Sequence, residues 1–217
     1  MKRSPFIVAG IVLAAFFGFQ SLVLLTREPA HPRASMADDD YPLEEGLTWV
    51  YKSSMGLQVV RRVVGRGALH WESTLASWHV MQFDLPLLGR KRLLMQRTDD
   101  GVVAHSDNIG DVQQLIMRFP MKVGDTWTID FPNEDLAECT VLEPEAIDVL
   151  SKRALASKLR VVRTHRKTGK KTTDYEWYVR GIGLAKMEVT FGLKATFNLI
   201  RFERAAASGG PPSPQKE

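Results

Sequence analysis

PLEEGLTWVY (Pro42–Tyr51) and PMKVGDTWTID (Pro120–Asp130) are one phrase written twice, seventy-eight residues apart. Both read Pro, aliphatic, two variable residues, Gly, one variable residue, Thr, Trp. The chemistry of these residue types is architectural. Proline ends what precedes it, glycine permits a turn, and Thr-Trp opens a strand whose indole turns inward to anchor a core. Gly46, Trp49, Gly124 and Trp127 are therefore expected to serve folding rather than catalysis, and the repetition predicts two equivalent strand starts in one β domain.

The pattern spreads outward from these phrases. In TWTIDF (Thr126–Phe131), Trp127, Ile129 and Phe131 alternate with Thr126, Thr128 and Asp130. Thr173, Tyr175, Trp177 and Val179 alternate with Thr172, Asp174, Glu176 and Tyr178. Ala185, Met187, Val189 and Phe191 alternate in the same way, as do Leu155, Ser157, Leu159 and Val161. Period two marks strands buried on one face. THRKTGKKTT (Thr164–Thr173) and RTDDGVV (Arg97–Val103) read as hairpin turns. Spacing this short leaves no room for the crossovers of a parallel sheet, so the sheet should be an antiparallel meander. One segment departs from period two. In GDVQQLIMRF (Gly110–Phe119), Val112, Leu115, Ile116 and Phe119 follow helical spacing, which predicts one short helix ended by Pro120.

The β domain is expected over residues 41–204. Before it, Pro5 to Leu25 carries no charge and follows a basic amino terminus. Roughly 20 residues at about 1.5 Å each cross a hydrocarbon core. A signal peptide has a shorter apolar core with a small-x-small site close behind it. Here the best such site, Ser35–Ala37, lies well past Leu25. Residues 1–25 are thus preferred as an uncleaved transmembrane anchor helix over a cleaved signal, and either reading exports the rest to the bacterial envelope. Residues 26–40 read as a linker and residues 205–217, rich in Ala, Gly, Pro and Ser, as a disordered tail.

Motifs of known chemistry are missing from the sequence. There is no Gly-x-Ser-x-Gly elbow and no His-Glu-x-x-His. The five histidines are scattered and Cys139 is the only cysteine, so no metal, cofactor or intrachain disulfide is expected. Gly181-Ile182-Gly183 lacks the third glycine and the following helix of a phosphate cradle, so Gly181 and Gly183 are turn glycines.

Charge is more informative. The net charge is only +4, yet Lys158, Arg160, Arg163, Arg166, Lys167, Lys170 and Lys171 form a basic run uninterrupted by any acid. If Leu159 and Val161 face inward, Lys158 and Arg160 point outward along an edge that continues into a basic hairpin tip. Such a face would suit an anionic partner. The plainer account is an edge strand kept from pairing by its charges. Nucleic acid is not expected, because the domain is exported and no stacking aromatics interleave the run.

YPLEEGLTWVY, then DGVVAHSDNIGDVQQLIMRFPMKVGDTWTID, then YEWYVRGIGLAKMEV occur in that order. The order resembles a broad group of exported, mostly uncharacterised bacterial envelope proteins over most of residues 41–203. Members of that group are similar to the lipoprotein-localisation-factor fold. The resemblance implies a strongly curved, half-barrel-like antiparallel sheet folded around a helix, with an apolar concave face. It departs where relatives turn on a small Gly-Thr-Phe, since DVLSKRALASKL stands there instead. The expectation is a non-enzymatic binding module that holds an acyl chain or a partner segment, with Met187 and Phe191 among its contacts. The alternative is an assembly factor that binds an anionic envelope polymer or a membrane protein through the basic run.

Overall fold

A computed structural model of the chain describes residues 41–67, 78–86, 89–105, 114–131, 135–190 and 194–204. The apolar amino-terminal stretch, the linker, the tail and Phe191 lie outside the described residues. Among the described residues twelve strands follow one another: β1 (Thr48–Ser53), β2 (Gln58–Gly67), β3 (Trp78–Leu85), β4 (Gly89–Thr98), β5 (Gly101–His105) and β6 (Gln114–Arg118). Then come β7 (Thr126–Phe131), β8 (Asp135–Val149), β9 (Lys152–His165), β10 (Lys171–Val179), β11 (Gly183–Val189) and β12 (Ala195–Glu203).

Every strand pairs antiparallel with its sequence neighbours except at one place, and β12 also pairs with β1. The meander therefore curls into a nearly closed barrel. Its two edges are β6 and β7, which come side by side without a ladder between them, joined where Gln114 Nε2 donates to the Asp130 carbonyl. Closure goes further than the expected half-barrel. No helix occurs among the described residues, so side chains rather than a helix fill the interior.

The repeated phrase marks a structural repeat. Gly46 and Gly124 both turn at positive φ, 85° and 90°. Gly46 N donates to the Val63 carbonyl at 2.8 Å, and Gly124 N donates to the Val141 carbonyl at 2.9 Å, with the same offset of seventy-eight in donor and acceptor. The ladders keep the offset: Trp49 faces Arg61 as Trp127 faces Cys139. So do the next ladders, where Arg61 faces Phe83 as Cys139 faces Val161. A β-bulge then falls at nearly the same place in each half, between Val63 and Arg66 and between Leu142 and Glu145. Tyr41 and Phe119, the residues before the two prolines, meet inside the barrel with ring centroids 6.3 Å apart.

Three expectations are corrected. Residues 114–118 form β6 rather than part of a helix. Two adjacent apolar residues, Leu115 and Ile116, mimic helical spacing. The residues that bury are Met117 and Phe119, a period of two, held by pairing of β6 with β5. That pairing is close at Gly101, where a Cβ would collide with the Met117 carbonyl. Next, β9 is an interior strand between β8 and β10, so the basic run does not lie on a sheet edge. Finally, Leu155 is 69% exposed while Ala156 is buried; opposite them the β8 bulge resets which residues of β9 face inward.

Candidate ligand cavity

The barrel interior is not completely filled. A cavity of about 120 Å³ remains, walled by residues of both halves, including Ile116 and Met117 of β6 and Ile129 of β7 at the unpaired seam. The structural repeat explains where it lies. Tyr51, Val59, Arg61 and Phe83 project inward in the first half. Their equivalents at the same offset are Ile129, Ala137, Cys139 and Val161, each smaller. All four of these smaller residues line the cavity. Close packing leaves no voids where volumes match, so replacing four large side chains by small ones opens space on that side.

Polar groups are set into this apolar wall. Arg61 is 4% exposed, and its guanidinium carbon lies 5.0, 5.2 and 5.6 Å from the ring centroids of Tyr41, Trp49 and Phe83. Those aromatic faces attract the cation. Its Nε donates to the Met81 sulfur at 3.2 Å. Burial pulls the guanidinium down to about 10, opposed by Tyr178 and Glu176, so it stays charged at neutral pH.

Glu176 projects from β10 into the same cavity, paired across the sheet with Met187 and Leu159. Its carboxylate accepts the Tyr178 hydroxyl at 2.6 Å. Enclosure raises the Glu176 carboxyl above its usual range, with the Tyr178 hydrogen bond and Arg163 pulling the other way. Burial likewise raises the Tyr178 phenol, and the adjoining Glu176 adds to it. Nearby, Arg163 Nε and Asp174 Oδ2 form a buried ion pair at 3.1 Å, and Asp174 also accepts from the Thr190 backbone at 2.9 Å. Cys139 is a free buried thiol, pushed up to about 12 chiefly by burial. Nothing in this set pairs a nucleophile with a base, and among the described residues no three His, Cys, Asp or Glu are grouped to hold a metal.

The expected site residues are dispersed. Met187 lines the cavity, as the alternation of β11 required. Of the basic run, Arg163 is buried and paired with Asp174; it continues the inward series Leu159, Val161. Lys158 binds Glu145 at 2.7 Å and lies over the Trp177 ring at 5.0 Å. Arg166 pairs with Asp130, and exposed Arg160 reaches Thr140 Oγ1 at 3.4 Å. Lys167, Lys170 and Lys171 are exposed at the β9–β10 hairpin. Gly181 and Gly183 both turn at positive φ between β10 and β11, and Trp49 and Trp127 are buried.

Arg61, Glu176 and Tyr178 were not singled out by sequence. In VVRRVV (Val59–Val64) each face of β2 carries two valines and one arginine, so alternation cannot choose the inward set. On β10 the apolar series misleads, because Trp177 is on the outer face, covered by Lys158 and Lys186, and Glu176 and Tyr178 point in.

No family model matches the chain, and no curated protein matches it significantly. Among solved structures it is similar to a Bacteroides fragilis protein with a YmcC-like fold, inferred to be exported. The two share 16% identity and a TM-score of 0.49 over 76% of this chain and 98% of that one. It is similar to an inferred lipoprotein of Parabacteroides distasonis at 14% identity and a TM-score of 0.45, over 75% and 97% of the two chains. The hypothetical lipoprotein YmcC of Escherichia coli is similar at 10% identity and a TM-score of 0.37, over 79% and 98%.

Proposed function

We propose that this chain is a non-enzymatic binding module of the bacterial cell envelope, whose barrel holds an apolar ligand such as an acyl chain. The apolar stretch of residues 1–25 would place the barrel outside the cytoplasmic membrane, anchored or released. The observation that supports this reading most is the position of the cavity. It sits beside β6 and β7, the one pair of neighbouring strands among the described residues that is not zipped. A ligand longer than 120 Å³ allows can enter there by parting two edges that share no ladder, without breaking a sheet. Pockets for small ligands usually measure roughly 300–1,000 Å³, so filling this one requires that seam to widen.

Native mass spectrometry of the full-length protein tests the reading. A co-purifying lipid that disappears in Met187→Asp supports it. A ligand-free wild type that gains no mass on incubation with lipid extracts contradicts it. The alternative, binding of an anionic polymer or membrane protein, now rests on the exposed hairpin tip with Lys167, Lys170 and Lys171. It requires a partner that is lost when these three are neutralised and that weakens with salt.

A further inference from the structure

Among the described residues two arginines, Arg61 and Arg163, are buried in the barrel, and they are treated differently. Arg163 has its carboxylate, Asp174. Arg61 has three aromatic faces and a thioether, which is a weak acceptor. A guanidinium carries five N–H donors. Only Nε of Arg61 is used, and the four N–H groups of its two Nη atoms meet no acceptor among the described residues. The neighbouring acid, Glu176, lines the same cavity and acts on Arg61 through its charge, but the hydrogen bond to its carboxylate comes from Tyr178. Buried charges are ordinarily paired, because desolvation is costly without compensation. Arg61 itself lines the cavity.

We infer that Arg61 anchors the carboxylate of a single-chain fatty acid, held head-first in the cavity with its tail leaving between β6 and β7. This rests on the reading of the interior as a ligand site and names the ligand's head. A planar carboxylate matches the guanidinium fork with two parallel hydrogen bonds. The cavity, about 120 Å³, accepts a carboxylate and the first few methylenes but not a phospholipid headgroup. Ile116, Met117 and Ile129 give the path to the seam an apolar lining suited to the chain that follows.

The test uses the full-length protein in nanodiscs, with empty nanodiscs as the blank, and three soluble probes of equal length: octanoate, methyl octanoate and octanol. Octanoate should bind about ten- to hundredfold more tightly than the other two, the range of a charge-assisted pair. Arg61→Met should abolish that preference while octanol still binds, and Arg61→Lys should restore part of it. Equal binding of all three to the wild type overturns the role of Arg61 and leaves the apolar-ligand reading standing. Binding of none above the blank overturns both. Should Arg61→Met fail to fold, carboxyl-labelled octanoate bound to the wild type decides by carbon NMR. Its carboxyl should titrate below its free value, and an unshifted titration overturns the inference.

Discussion

The barrel has two seams related by its internal repeat, and they differ. At the first, β12 and β1 form a full ladder from Thr48↔Glu203 to Ser53↔Phe197. Trp49 Nε1 there donates to the Ile182 carbonyl at 2.6 Å, and the Tyr51 hydroxyl to the Leu184 carbonyl at 2.9 Å. At the second, β6 and β7 share no ladder. Trp127 Nε1, the counterpart of the Trp49 donor, is buried with no hydrogen-bond partner among the described residues, as is Gln114 Oε1 on the facing strand. Burying such groups unpaired costs free energy. The same repeat unit thus closes the barrel once and leaves it openable once, with the smaller inward residues on the openable side. A duplicated scaffold has been made asymmetric by side-chain volume and by hydrogen bonding.

The largest expected effect separates the two tryptophans. Trp49→Ala should destabilise the protein by about 3–5 kcal/mol in urea titration, the range for a fully buried aromatic. Trp127→Ala should cost about 1 kcal/mol less, because no hydrogen bond of its indole is lost. Equal losses would erase the distinction between the seams. Next, Val59→Ala in the filled half should cost about 2 kcal/mol, whereas Ala137→Val, its equivalent beside the cavity, should be neutral or stabilising by up to about 1 kcal/mol. Strong destabilisation by Ala137→Val would mean that the space is not available. A finer contrast replaces each indole by a phenyl ring, which removes the N–H together with part of the ring: Trp49→Phe should cost about 1–2 kcal/mol more than Trp127→Phe, because it also leaves the Ile182 carbonyl unpaired.

The smallest effect is on pH dependence. The folded protein holds the Glu176 proton more tightly than the unfolded chain, whose value is near 4.5. The stability this group contributes is full below that value and is lost as pH rises through the raised folded value. Glu176→Gln cannot titrate, so the stability of wild type relative to this variant should fall as pH rises above about 4.5. A difference that stays flat would place the Glu176 carboxyl in an ordinary environment.

Much of the fold was legible because its signals are local. The doubled Pro-x-x-x-Gly-x-Thr-Trp phrase marked both β1 and β7, and hairpin chemistry at Gly169 and Asp99-Asp100 placed two turns. The strand β6 was not legible, since an edge strand with Leu115 and Ile116 adjacent has no clean period, and its pairing with the preceding strand β5 is not written in its own residues. The cavity was legible only in Met187. Its polar groups depend on which face of β2 and β10 turns inward, and a β-bulge opposite Trp177 and Tyr178 helps set that in three dimensions. The basic run was visible but its meaning was not, because the carboxylates that pair with Lys158, Arg163 and Arg166 arrive from β7, β8 and β10.

The most direct test of the account is to give the second half the volume of the first. The native mass spectrum of full-length Ala137→Val/Cys139→Leu, taken beside wild type, should show a folded protein that has lost the co-purifying ligand. A filled variant that keeps the wild-type ligand would contradict the claim that this half of the barrel is emptied to receive one.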